Sequence, residues 1–131
     1  MTVVLGYIPG DLGEAALATA VDEARRRDTD LVVVNTTRGD RLVDRRYAHD
    51  DQAIALGSRL AASGVPHEVR RFTSDGLAAD ALLEVAGEVG AEVVVIGLRH
   101  RTPVGKLIMG STAQRVLLEA ACPVLTVKLP R

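Results

Sequence analysis

The chain has 131 residues, 47% of them apolar and only 2% aromatic, and a formal net charge of -1. That length fits a single domain, 1–131. A near-neutral balance excludes the global basic field that attracts nucleic-acid backbones, and Phe72, Tyr7 and Tyr47 are too few to build base-stacking platforms. Cys122 is the only cysteine, so an internal disulfide is excluded, and no Cys/His cluster has metal-ligand spacing.

The opening segment TVVLGYI, 2–8, is rich in β-branched residues and runs into Pro9-Gly10, which predicts a strand. The N-terminus MTVVLGYIPG has no basic region and a short apolar run, so it reads as this strand and not as a signal peptide. Residues 13–27 place Leu17, Val21 and Ala24 on one face with Ala16 and Ala20 beside it, which is helical spacing. Arg25, Arg26 and Arg27 fall in the last turn, where cations complement the helix dipole. LVVVNTT, 31–37, is apolar without alternation, the pattern of a strand buried on both faces.

Residues 38–47 are polar and read as a mobile loop. A second helix is expected over 48–62, through Ala53, Ile54, Gly57, Leu60 and Ala61, with Gly64 as its stop. PHEVRRF, 66–72, alternates and predicts a strand near an edge. Ser74 or Asp75 can cap the next helix, whose apolar stripe is Leu77, Ala78, Ala81, Leu82, Val85, Ala86 and Val89 before Gly90. EVVVIG, 92–97, is the second wholly apolar strand. A last helix starts at Ser111 or Thr112 with Ala113, Val116, Leu117, Ala120 and Ala121 on one side, and PVLTVKL, 123–129, is the final strand.

The order βαβαβαβαβ implies an α/β fold, a doubly wound parallel five-stranded sheet with helices on both faces. No apolar run approaches membrane-spanning length, and the expected setting is cytoplasmic. Ligands of such sheets sit at the carboxyl ends of the strands where the strand order reverses. The loops after the first, second and fourth strands should share that edge.

The connection from Leu98 to Gly110 is far longer than the ~2–6 residues usual between strand and helix. Gly97 ends the strand and Gly110 opens the helix, and glycine at such places lets backbone approach a ligand. Gly110-Ser111-Thr112 offers free amides at the positive end of a helix dipole, and Arg99, Arg101 and Lys106 add cations. The alternative is that Ser111 or Thr112 is only an N-cap. A Walker loop is excluded, because His100 stands at its first glycine and Leu107 at its hydroxyl. Gly6, Gly10 and Gly13 have the wrong spacing for a dinucleotide fingerprint.

At these residues the sequence resembles the universal stress protein family, whose signature is G-x-x-G, nine residues, then G-[ST]. Gly97 matches the first glycine, and Gly110-Ser111 follow nine intervening residues, Arg101 to Met109; AACPVLTVK, 120–128, resembles the family's final strand. His100 replaces the second glycine, and Ile8 stands where ATP-binding members carry an Asp.

The resemblance implies a flavodoxin-like domain of strand order 3-2-1-4-5 that binds ATP, with Mg, or a related adenine nucleotide. Adenosine would lie near Tyr7, Ile8, Pro9 and the backbone of Thr36. The phosphates would lie on Gly97, Arg99, His100, Gly110, Ser111 and Thr112, flanked by Ile96 and Ala113. It further implies a homodimer through the last strand, Val124, Leu125, Thr126, Val127 and Lys128, and a regulatory role in stress; little or no hydrolysis is expected, because no general base can be named. No nucleic-acid or membrane partner is expected. A module that binds protein partners without nucleotide is the alternative.

Three further groups complete the inventory. His49 and His67 read as surface residues, and Cys122 as a buried structural thiol. Asp11, Asp40 and Asp44 read as turn and solvent residues, although they are candidates to assist a metal-bound nucleotide. No nucleophile–base pair can be named, so no catalytic residue is expected.

Overall fold

The structure, a computed structural model, describes residues 2–38, 45–74, 78–98 and 110–129, with the side chains of 36–38, 45–52 and 73–74 outside that description. The elements alternate: β1 (Thr2–Tyr7), α1 (Asp11–Arg27), β2 (Asp30–Arg38), α2 (Arg45–Ser63), β3 (His67–Ser74), α3 (Ala78–Val89), β4 (Ala91–Gly97), α4 (Ser111–Glu119) and β5 (Val124–Val127). The strands form one parallel sheet in the order β3-β2-β1-β4-β5.

This order follows from chirality. The crossovers β1→β2→β3 move one way along the sheet and β3→β4→β5 move back, so right-handed connections put α1 and α2 on one face and α3 and α4 on the other. Side-chain alternation divides the core accordingly. Val3, Leu5, Val33 and Val95 meet Leu17, Ala20, Leu56 and Leu60 on the first face. Val4, Val34, Val94 and Ile96 meet Leu82, Val85 and Val116 on the second. Burying both faces explains why β2 and β4 lack polar alternation.

Each fully buried Val or Leu contributes about 1.5–3 kcal/mol. The ion pairs along α1, such as Arg26–Glu23 at 3.2 Å, are exposed and worth about 1 kcal/mol or less each. Apolar burial, and not the charged surface, therefore holds α1 to the sheet. Gly64 (φ 74°) and Gly90 (φ 64°) end α2 and α3 in the left-handed region, as their positions in the sequence imply.

The structure corrects several local expectations. α1 begins at Asp11, two residues early, capped by Gly10. Among the described side chains of α2 the buried positions are Leu56 and Leu60, while Ile54 is 68% exposed. Ile54 lies off the face that the Leu56/Leu60 spacing defines. Ala79, absent from the expected stripe of α3, is buried, whereas Leu77 and Asp75 lie outside the described residues. Ser74 closes β3, and its side chain lies outside the described residues. In α4 only Val116 is fully buried; Leu117 is exposed, and Ala121 lies beyond the helix. The expected loop over 38–47 is shortened at both ends by β2 and α2, and 39–44 lie outside the described residues.

Candidate functional site

The strand order reverses between β1 and β4, so the mouth for a ligand lies beyond Tyr7 and Gly97. One wall is the start of α4. Its N-cap is Gly110, extended at φ -66° and ψ 157°, with no side-chain capping bond. Ser111 and Thr112 are therefore the first helical residues and not the cap, which corrects the N-cap alternative. The first intrahelical bond runs from Gln114 N to Gly110 O at 3.0 Å. The amides of Ser111, Thr112 and Ala113 precede it and have no carbonyl of their own helix to donate to. Gly110, Ser111 and Thr112 are exposed, and a Cβ added to Gly110 would meet none of the described residues within 4 Å.

The other wall is the start of α1. A Cβ added to Gly97 would lie 2.7 Å from Leu12 Cγ, and one added to Gly13 would overlap the carbonyl oxygen of Ile8. These two missing side chains let the first turn of α1 settle onto the ends of β1 and β4. The two glycines of the signature thus differ in role. Gly97 makes room for Leu12, while Gly110 leaves open space. The Leu98 amide donates to Val127 O at 2.8 Å, which ties the end of β4 to β5 and withdraws that amide from any ligand.

Tyr7 ends β1 with its ring turned under α1 and only 2% exposed. Its hydroxyl donates to Glu14 Oε2 at 2.5 Å, and Arg59 Nη2 reaches the same carboxylate at 2.6 Å. Burial, then the Glu14 hydrogen bond and charge, push the phenol up to about 12 against the opposing pull of Arg59. The side chain of Tyr7 belongs to the seam between α1 and α2, and only its main chain lies at the mouth. Ile8 is 58% exposed and Pro9 half-buried. Ile96 is buried against the α3 and α4 face, where Ala113 also packs. Thr36 pairs with Phe72 across β2 and β3. Arg99, His100, Arg101 and Lys106 lie outside the described residues, as do Asp40 and Asp44.

Sequence reasoning did not single out Leu12, Glu14, Arg59 or Asn35. Asn35, opposite Tyr7 in the sheet and 5% exposed, keeps its Oδ1 without a hydrogen-bond partner. A polar residue interrupting LVVV was its only signal. Arg115 is spent elsewhere, pinning α4 to α3 through Asp80 at 2.6 Å and bonding Glu119 at 2.9 Å.

Two shallow grooves lie away from the mouth. The first, about 310 Å³, lies along α1 and α2, where Arg59 pairs with Glu14 and Arg25 donates to Ser63 O at 2.6 Å. The second, about 260 Å³, lies beside Cys122, whose thiol burial pushes up. Among the described residues no three of His, Cys, Asp and Glu gather as a metal site, and no helix is long and apolar enough to cross a membrane.

The family model for the universal stress protein family matches residues 1–128. The chain belongs to the universal stress protein family. A universal stress protein of Mycolicibacterium smegmatis is 46% identical over 126 residues, covering 96% of each chain. Among solved structures, a universal stress protein from Archaeoglobus fulgidus is 32% identical with a TM-score of 0.81, covering 98% of both chains. The structure of the universal stress protein from Archaeoglobus fulgidus in complex with dAMP is 27% identical with a TM-score of 0.74 over 98% of each chain. A universal stress protein in complex with cAMP, also 27% identical, has a TM-score of 0.73 and covers 99% of this chain and 98% of its own. The flavodoxin-like fold and the strand order expected of a universal stress protein are those observed.

Proposed function

We propose that this universal stress protein is a single cytoplasmic domain, 1–131, that binds ATP, with Mg, or a related adenine nucleotide, and acts as a regulator in the stress response. The observation that carries the reading is the uncapped start of α4, exposed at Gly110, Ser111 and Thr112 beside the strand-order reversal. Three amides and a dipole of roughly +0.5 charge suit a phosphate there. The relatives solved with dAMP and cAMP support an adenine nucleotide as the occupant. Phosphates would lie on Gly110, Ser111, Thr112 and the Gly97, Arg99 and His100 side, flanked by Ile96 and Ala113. The nucleoside would lie toward the main chain of Tyr7, toward Ile8 and Pro9, and against Thr36. Hydrolysis is weak or absent in this reading, since no nucleophile–base pair can be named among the described residues at the mouth.

The homodimer would form through β5, an edge strand whose four residues are all half-buried in the single chain. An unpaired apolar edge is a liability that a second copy removes. Calorimetric titration with ATP and magnesium tests the ligand, and light scattering tests the dimer. Absence of both binding heat and co-purified nucleotide would sink the nucleotide reading. The second reading, a partner-binding module without nucleotide, draws on Leu12 covering Gly97 and on the apolar, exposed Ile8.

A further inference from the structure

We infer that Leu12 is a specificity-determining residue of the mouth, a steric stop that limits how closely a bound polyanion settles on the Gly97 end of β4. The inference rests on the nucleotide reading above and adds to it a limit on how deeply the ligand sits. The Cβ position of Gly97 lies 2.7 Å from Leu12 Cγ, 3.1 Å from Cδ2 and 3.2 Å from Cδ1. The isobutyl group therefore occupies the space above Gly97 that a glycine would otherwise leave to a ligand. Leu12 is not sealed in the core; it remains half-buried, as befits a residue at the rim.

Gly13 lies against the Ile8 carbonyl, so the first turn of α1, and Leu12 with it, sits close on the ends of β1 and β4. The Leu98 amide is already committed to Val127 O at 2.8 Å. Phosphate oxygens approaching from the α1 side thus meet an apolar group and no free donor at Leu98. Desolvating an anion against Leu12 without a hydrogen bond is unfavourable. The amides at the start of α4 supply the grip in this reading, and affinity is held down by the Leu12 side chain.

The test is calorimetric titration of ATP with magnesium into the wild-type chain, Leu12→Val and Leu12→Ala, with thermal melting to verify folding. Affinity should rise in the order Leu, Val, Ala, by about tenfold or more at Ala, since a single methylene in a fitted pocket is already worth roughly tenfold. Binding by Leu12→Ala alone also supports the stop. If the wild type binds and the smaller side chains bind equally or more weakly, Leu12 is not a stop and the nucleotide reading survives. If none of the three binds, the nucleotide reading fails and takes this inference with it. Should Leu12→Ala not fold, Leu12→Val decides by the same criteria.

Discussion

Leu12 and Gly97 meet so closely that the side-chain Cγ of one stands 2.7 Å from the place a Cβ would take on the other. Gly97→Ala must therefore displace Leu12 or bend β4. Overpacking of this kind costs about 1–3 kcal/mol. Gly110→Ala meets none of the described residues within 4 Å and should change little beyond the cap preference, at about 1 kcal/mol or less. Urea denaturation of both variants checks the contrast; equal stabilities would contradict the close packing.

Ser111→Pro separates the amide grip from the fold. Ser111 is the first residue of α4, where proline is tolerated, and Gly110 already has the extended geometry that a following proline imposes. Stability should stay within about 1 kcal/mol of wild type. One donor to phosphate disappears, and a charge-assisted hydrogen bond of about 1.5–3 kcal/mol corresponds to at least a tenfold loss in nucleotide affinity. A Ser111→Pro chain that melts normally and binds ATP undiminished would place the phosphates away from this helix end.

The Tyr7 phenol, pushed up to about 12 from an ordinary 10.0, makes a pH-dependent contribution. The neutral form is the one the fold stabilises. Its contribution is fully present below pH 10.0 and is lost as the pH rises through about 12. Phenolate absorbance in a Tyr47→Phe background should titrate near 12, and a midpoint at the ordinary value would refute the buried contact with Glu14. Tyr7→Phe should cost about 0.5–1.5 kcal/mol. Equilibrium unfolding at neutral pH measures that loss.

Asp28 closes α1 in the left-handed region at φ 52°, with Thr29 N donating to Ala24 O at 3.0 Å and Asp28 N to Arg25 O at 3.2 Å. That is a Schellman ending on a residue with a Cβ and a negative charge, both unfavourable there. Asp28→Gly should stabilise the chain by about 0.5–1 kcal/mol, after the greater freedom of glycine in the unfolded state is counted. An unchanged or lower midpoint in thermal unfolding would show that the aspartate has a compensating role.

The parallel sheet was legible because Leu31 to Val34 and Val93 to Ile96 are apolar without alternation and helical spacing separates them. The start of α4 was legible because Gly110-Ser111-Thr112 follows a long connection, although only coordinates show that the glycine is the cap. The phase of α2 was not legible: Ala53, Ile54, Gly57 and Leu60 satisfy helical spacing nearly as well as the observed Leu56 and Leu60, and tertiary contact chose between them. Leu12 on Gly97, and Tyr7 with Glu14 and Arg59, join residues on different elements. Such pairings carry no periodic signal, so the direction of the Tyr7 ring could not be read before the fold was known.

The central place of β1 also shapes how the chain is made. β1 pairs with β2 on one side and β4 on the other. As synthesis proceeds, the N-terminal half-sheet of β1, β2 and β3 can assemble while the flank of β1 awaiting β4 still lacks its partner. Until Ala91–Gly97 leave the ribosome, the central strand of the molecule has an open backbone edge, and that nascent interval is when the chain most needs shielding from its neighbours.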